Sequence, residues 1–338
     1  MRTSANLGLF MRRREFIAVL GGAVAWPVSA RAQQPAMPVV GVLSGEWPNA
    51  VTADRLRAFR EGLNDTGYFE GRNVIIEYRW AEGRNDRLPA LAAELVRLPV
   101  NVIVCAGSTP ATIAAKAAST TVPIVFYVGT DPVSMGLVAS LSRPGGNVTG
   151  VAALNVEIGA KRLEVLHELV PTATIIAALI NPTDPVIAET DTKNLQAAAQ
   201  TLGVRLHELH ASSEQEIETT LTTLVQLRAG ALVIGTDALF NSESEQLAAL
   251  TLRLAVPAIY QYREFVLSGG LASFGATVAD TYRPLGVYTG RVLKGEKPGD
   301  LPVQRATKLH LIINMKTAKA LGITVPLPLL GRADEVIE

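Results

Sequence analysis

The chain holds one cysteine in 338 residues, Cys105. A single thiol excludes an intramolecular disulfide and any metal site built from several cysteines. Cys105 sits inside the apolar run 102–106, where a small buried hydrophobe is the expected role. Histidine is scarce too, with four in the chain. His207 and His210 lie three apart, a metal-pair spacing on a helix. The pattern around them is that of a strand, where this spacing puts them on opposite faces. His167 in a helical pattern and His310 in a strand pattern read as structural. No metal site is expected. Neither G-x-S-x-G nor H-E-x-x-H occurs, and no G-x-G-x-x-G follows residue 32. Residues 290–297 graze a phosphate-loop pattern, but they lack Lys at the required position and a helix, not a strand, precedes them. No catalytic constellation and no cofactor is expected, so the chain reads as a binder and not an enzyme.

Charge of one sign is also lacking, since 31 basic residues balance 31 acidic ones. No basic tract marks a nucleic-acid surface, and no nucleic-acid partner is expected. No apolar run reaches membrane-spanning length; the longest near the N-terminus, 18–28, is broken by Gly21, Gly22 and Pro27. What the chain has is a 48% hydrophobic content, enough for a large core and against disorder.

The N-terminus has a charged start, Met11-Arg12-Arg13-Arg14-Glu15-Phe16-Ile17, then the short apolar run, then Ala30-Arg31-Ala32. This is the layout of a cleaved signal peptide over residues 1–32. Arg13-Arg14-x-Phe-Ile resembles the twin-arginine export signal. Met11 opens a complete signal by itself and is the alternative start. With no cysteine near the cleavage site, a direct membrane anchor is not expected. Residues 1–32 hold five Arg and one Glu, which leaves 26 basic against 30 acidic residues and a net charge of −4. A mildly acidic periplasmic protein cleaved near Ala32 is the expectation.

The remainder alternates two periodicities. Apolar strand patterns at 39–43, 74–80, 102–106, 122–128 and 147–151 alternate with helical patterns at 51–65, 88–98, 111–118 and 133–141. In the helix 51–65, Leu56, Phe59 and Leu63 share one face, with Arg55 placed off it. The pattern restarts after Gly150, with strands at 174–180, 204–210, 231–234 and 256–260 between helices at 156–169, 186–202, 214–227 and 242–254. Such alternation implies mainly parallel sheets covered on both faces. The tail (helix 278–293, strand 308–313, helix 317–321) has too few elements for a core of its own. It is expected to complete the two earlier lobes, a layout suited to hinge closure around a ligand.

Ligands in open α/β sheets bind beyond the carboxyl ends of strands. Small polar groups sit at six such ends: Ser44 to Trp47, Ser108 with Thr109, Thr130 with Asp131, Asn181, Thr236 with Asp237, and Tyr260. Ser108 and Thr109 precede a helix, whose free N–H groups favour a carboxylate. Asp131 or Asp237 would meet an ammonium, a charge-assisted pair worth roughly 1.5–3 kcal/mol when desolvated. The plainer role of Thr109 and Asp131 is helix capping. Trp47 would stack on a ligand or cover the cleft rim.

Several segments together carry a family resemblance: RRREFIAVLGG with ARAQQ, VVGVLSG, GTDPVSMGLVASLSRPGGNVTGV, GGLASFGA, RVLKGEKPGDLPVQ, and LIINMKTAKALGITVP with ADEVIE. Across nearly its whole length the chain resembles the periplasmic substrate-binding proteins of ABC importers, in the group with tryptophan- and tyrosine-binding lipoproteins. The resemblance implies the type I periplasmic-binding fold, two Rossmann-like lobes joined by three crossovers. Lobe 1 would be 38–150 with 276–304, and lobe 2 would be 151–275 with 305–338. It implies a monomer that binds an amino acid or small organic acid between the lobes and delivers it to the ABC permease. Ser44, Ser108, Thr109 and Thr130 would hold the carboxylate, and Asn181, Asp237 and Tyr260 would face it, with Asp237 on the amino group. The alternatives are a periplasmic sensor for a signalling partner and an exported enzyme.

Overall fold

The computed structural model describes residues 37–338, so the export-signal expectation lies outside the described residues. The elements alternate in the first half: β1 (Val39–Ser44), α1 (Ala50–Asp65), β2 (Ile75–Trp80), α2 (Leu88–Arg97), β3 (Val102–Cys105), α3 (Thr109–Ala118), β4 (Ile124–Val128) and β5 (Val148–Ala152). The second half continues with α4 (Gly159–Leu169), β6 (Ile175–Ile180), α5 (Pro185–Leu202), β7 (Arg205–His210), α6 (Glu214–Leu227), β8 (Ala231–Ile234), α7 (Ala238–Ser242), α8 (Ser244–Arg253), β9 (Ala258–Tyr260), α9 (Arg263–Leu267) and β10 (Ala272–Gly275). The tail adds α10 (Val278–Leu293), β11 (Gln304–Arg305), β12 (His310–Asn314), α11 (Met315–Ala320), α12 (Leu327–Leu330) and β13 (Glu335–Ile337).

Two sheets form. The first has the order β11-β5-β4-β3-β1-β2 and the second β13-β12-β10-β9-β8-β6-β7. Neighbours run parallel except β10 and β12, which pair antiparallel because the tail strand enters the second sheet from the opposite end. Central strands such as β3 and β4 are buried at every position, as their unbroken apolar runs require when helices cover both faces. The chain passes between the sheets after Ala152, after Gly275 and after Arg305. Val151, Ala152 and Arg305, expected in lobe 2, therefore pair within the first sheet.

Helix α10 returns from the second sheet to pack along α1. The approach is close enough that a Cβ on Gly62 would lie 1.9 Å from the Arg283 carbonyl oxygen, and one on Gly286 would lie 2.0 Å from that of Phe59. Bare glycines on both helices let the backbones touch, which fixes the returning tail to lobe 1. Cys105 is fully buried and burial pushes its thiol up to about 12, as its place in an apolar strand implies. His207 and His210 lie on the outer strand β7, and no metal-ligand group occurs among the described residues.

Two local expectations fail. Residues 133–141 are not a helix but a chain of turns. The Asp131 carboxylate accepts the Val133 N–H at 2.9 Å, the Pro132 carbonyl accepts from Leu137 and Val138, and Gly136 takes a positive φ of 65°. Lys116 Nζ then binds the Gly136 and Leu137 carbonyls that a helix would use internally. The expected helix 242–254 forms as α8, directly after the short α7. Arg55, placed off the core face, is 1% exposed.

Candidate functional site

In each sheet the strand order reverses once, between β1 and β3 in the first and between β6 and β8 in the second. Crevices open at the carboxyl ends of such strands. The two crevices face each other and enclose one cavity of about 30 Å³, room for one or two waters.

The lobe 1 wall is the start of α3 and the turn after β4. Ser108 is the N-cap of α3, its Oγ accepting the Ala111 N–H at 3.2 Å, with Thr109 and Pro110 opening the first turn. The cap is thus Ser108 and not Thr109. Freed from capping, Thr109 turns its hydroxyl to that of Thr130, 3.2 Å away, and joins the ends of β3 and β4. Pro110 has no N–H, and the Ala111 and Thr112 N–H groups are held by the Ser108 hydroxyl and carbonyl, which leaves the Thr109 N–H and the positive end of the helix dipole at this wall. This wall holds no net charge and offers donors, which suits a carboxylate.

The lobe 2 wall is the end of β8. Asp237 caps α7 through Oδ1, which accepts the Leu239 N–H and Asn181 Nδ2, each at 2.8 Å. Burial pushes its carboxyl up to about 6, against the lowering effect of those bonds. Beside it, Thr236 is held three ways. Its N–H goes to Asp191 Oδ2 at 3.1 Å, and its hydroxyl donates to Gln261 Oε1 and accepts from Arg162 Nη2, each at 3.2 Å. Burial pushes Asp191 up to about 6 as well, with Arg162 opposing.

The floor is polar and belongs to both lobes. Gln261 Nε2 donates to Asn241 Oδ1 at 2.7 Å, and Asn241 Nδ2 reaches across to Glu46 Oε1 in lobe 1 at 3.1 Å. Tyr127 of lobe 1 and Tyr262 of lobe 2 join hydroxyls at 2.6 Å, with Asn155 Nδ2 at 3.4 Å from both. Further bonds close the rim: Trp47 N–H to Ser242 Oγ, Asn49 Nδ2 to the Ser242 carbonyl and Asn85 Nδ2 to Thr183 Oγ1.

Of the nine residues expected at a site, Ser108, Thr109, Thr130 and Asp237 line this cavity together. The other five stand back from it. Ser44 donates to the Ala106 carbonyl and accepts the Glu46 N–H, which orders the loops after β1 and β3. Trp47 lies against Gly83 and packs on the lobe 2 core at the rim. Asp131 is turned away, its N–H bound to Glu157 and its carboxylate to Val133. Asn181 orients Asp237, and Tyr260 is buried with its hydroxyl on Asn241 Oδ1. Sequence reasoning passed over Tyr127, Asn155, Asn241, Gln261 and Tyr262. Only Gln261 and Tyr262 carried a signal, as polar residues directly after β9.

A sequence model of the family described as ABC transporter substrate binding protein matches residues 49–337. The tyrosine-binding protein of Clostridioides difficile (strain R20291) is 32% identical over 272 residues, covering 79% of this chain and 76% of that one. Among solved structures, an ABC domain from Streptococcus pneumonia in complex with L-Trp superposes with a TM-score of 0.77 at 27% identity, covering 89% of this chain and 99% of that one. The ligand-free, open form of a substrate-binding protein with adhesive properties from Clostridium difficile gives a TM-score of 0.60 at 25% identity over the same shares. These relatives are binding proteins, and their type I periplasmic-binding fold is the one described above. The chain belongs to the ABC transporter substrate binding protein family.

Proposed function

We propose that this protein captures an amino acid with an aromatic side chain outside the cytoplasmic membrane and delivers it to the permease of an ABC importer. The carrying observation is the pairing of opposed walls. The N-terminus of α3 with the Thr109 and Thr130 hydroxyls faces the Asp237 carboxylate across one cavity. An α-amino acid carries the complementary charges, a carboxylate for the first wall and an ammonium for the second. Ser108, Thr109, Thr130 and Asp237 are the contacts; Asn181 holds Asp237 in place and Tyr260 holds Asn241 of the floor. The tyrosine-binding relative and the L-Trp complex support an aromatic ligand. The better superposition on the L-Trp complex than on the open form supports a closed lobe arrangement here. A cavity of about 30 Å³ admits no ring, so the lobes part for entry and close less far around the bound ligand. In this reading the export signal is removed near Ala32 and the closed surface is what the permease reads.

A thermal-shift series with L-tyrosine, L-tryptophan, glycine, ATP and Zn²⁺ tests the ligand class. An aromatic amino acid at a hundred times its Kd is expected to add about 2.7 kcal/mol of stability. A shift with only ATP or Zn²⁺ would contradict the reading. Uptake of the same amino acid by cells with and without the gene tests delivery.

A further inference from the structure

We infer that Asn155 Oδ1 accepts a hydrogen bond from the ligand's side chain, so that the site selects ring systems bearing an indole N–H or a phenolic O–H over phenylalanine. This rests on the amino-acid reading above. Asn155 follows β5 at the first passage between the lobes, is 1% exposed and lines the cavity. Its amide is committed on the nitrogen side, where Nδ2 lies 3.4 Å from the hydroxyls of Tyr127 and Tyr262. Its backbone carbonyl is fixed by Arg162 Nη2 at 2.6 Å. The residue is therefore tied through both its backbone carbonyl and its side-chain nitrogen.

Asn155 Oδ1 has no hydrogen-bond partner among the described residues. No other buried side-chain oxygen or nitrogen of a cavity-lining residue is left so. The hydroxyls of Thr109 and Thr130 have each other, Thr236 has Gln261, and Asn241 has Gln261 and Glu46. A buried amide oxygen is costly to leave unpaired, and a ligand donor removes that cost. The choice of donor follows from charge. A ligand ammonium has the Asp237 carboxylate, whereas Asn155 offers a neutral acceptor, suited to a neutral donor such as an indole N–H or a phenolic O–H. A site built this way rejects an analogue that lacks the donor.

The test is isothermal titration of the wild-type protein, Asn155→Leu and Asn155→Asp with L-tyrosine, L-tryptophan and L-phenylalanine. Wild type is expected to bind tyrosine or tryptophan at least tenfold more tightly than phenylalanine. Asn155→Leu should bring tyrosine and phenylalanine within about threefold by weakening tyrosine alone, and Asn155→Asp, which keeps an acceptor, should retain the preference. Equal affinities for tyrosine and phenylalanine in wild type would overturn the inference. So would an Asn155→Leu protein that weakens all three ligands by one factor, since that is the behaviour of an ammonium contact. If Asn155→Leu fails to fold, wild type and Asn155→Asp decide the matter. Absence of binding by all three would remove the amino-acid reading and this one with it, whereas binding without discrimination would remove this one alone.

Discussion

Glu46 and Arg55 belong to the same lobe and to one loop–helix unit, yet lobe 2 completes their surroundings. The pair is 2.5 Å apart and both residues are at most 2% exposed. Asn241 donates to the Glu46 carboxylate, Arg55 lies 4.7 Å over the Tyr262 ring, and Glu264 stands 3.6 Å from Arg55 Nε. Opening the lobes would leave the pair intact and return it to water. Closing it takes two charges out of water and gains the contacts with Asn241 and Tyr262. Arg55 Nε and Nη2 have no hydrogen-bond partners among the described residues, so the charge is balanced through the Glu46 ion pair and the nearby Glu264 carboxylate. Removing the carboxylate with Glu46→Gln strands a buried guanidinium, a change on the order of 3–5 kcal/mol for a closed interior. We expect Glu46→Gln to favour the open form. Small-angle scattering should show a larger radius of gyration with ligand present, and apparent affinity should fall by more than tenfold. Equal closure and affinity in Glu46→Gln would mean that the pair is indifferent to lobe position.

Asp237 gives the site a pH dependence with a definite sign. Its folded carboxyl titrates at about 6 against an ordinary 3.8. A raised value means that its contribution to stability is full below about 3.8 and is lost as pH rises through 6. Asp237→Asn keeps an Oδ1 for Leu239 and Asn181, so it should be more stable than wild type at pH 7.5 by roughly 1–2 kcal/mol and no more stable at pH 3.5. Urea unfolding at the two pH values checks this. An ammonium ligand needs the charged form, so wild-type affinity should fall as pH drops below 6, by at most about tenfold per unit. In Asp237→Asn that dependence should vanish and affinity at pH 7.5 should fall well over tenfold. A ligand that binds equally at pH 5 and 7.5 would place its ammonium elsewhere.

The fold was legible from periodicity, because buried parallel strands such as β3 and β4 are unbroken apolar runs and the helices between them keep one apolar face. The exceptions have local causes. Residues 133–141 carry helical spacing, but Asp131, Pro132 and Gly136 supply the hydrogen bonds and positive φ of turns, and Lys116 from α3 takes the freed carbonyls. Arg55 stands one turn before Phe59 on the same helix face, and its burial depends on partners distant in sequence, Glu46 nine residues away and Tyr262 and Glu264 in lobe 2. The candidate site was half legible. Strand ends pointed to Ser108, Thr109, Thr130 and Asp237, but Tyr127, Asn155 and Asn241 come from a strand interior, a crossing and a short helix. Their meeting is a product of lobe closure, which no local pattern encodes.

Asp131 shows how adjacent residues differ in consequence. Thr130 lines the cavity and touches Thr109, whereas Asp131 bonds only to its own turn and accommodates Glu157 on its N–H. Asp131→Ala is expected to change ligand affinity less than threefold while lowering stability by about 0.5–2 kcal/mol, the usual cost of losing a side-chain cap on a backbone N–H. Thr130→Val should do the reverse, lowering affinity about tenfold with little change in melting temperature. Titration and thermal melts of the two proteins separate the roles, and a tenfold affinity loss in Asp131→Ala would reverse the assignment.

The contact between α1 and α10 offers a test of the returning tail that does not involve the cavity. A methyl at 286 would sit 2.0 Å from the Phe59 carbonyl oxygen and 2.7 Å from the Leu63 nitrogen, both backbone atoms that cannot rotate aside. The helices must therefore separate, and each core residue between them, Phe59 and Leu63 on α1 and Leu285 on α10, loses packing. Overpacking of this kind costs about 1–3 kcal/mol. Gly286→Ala raises helix propensity in isolation by up to about 1 kcal/mol, so net destabilisation would mark the contact and not the helix as decisive. Gly322→Ala makes the control, because a Cβ there meets nothing within 4 Å and only its positive φ of 69° is strained. We expect Gly286→Ala to lower the urea midpoint more than Gly322→Ala and to weaken ligand binding as well, since α10 lies between the second and third passages and its displacement alters how the lobes meet. A Gly286→Ala protein as stable as wild type would show that α10 does not lie against α1 in this way.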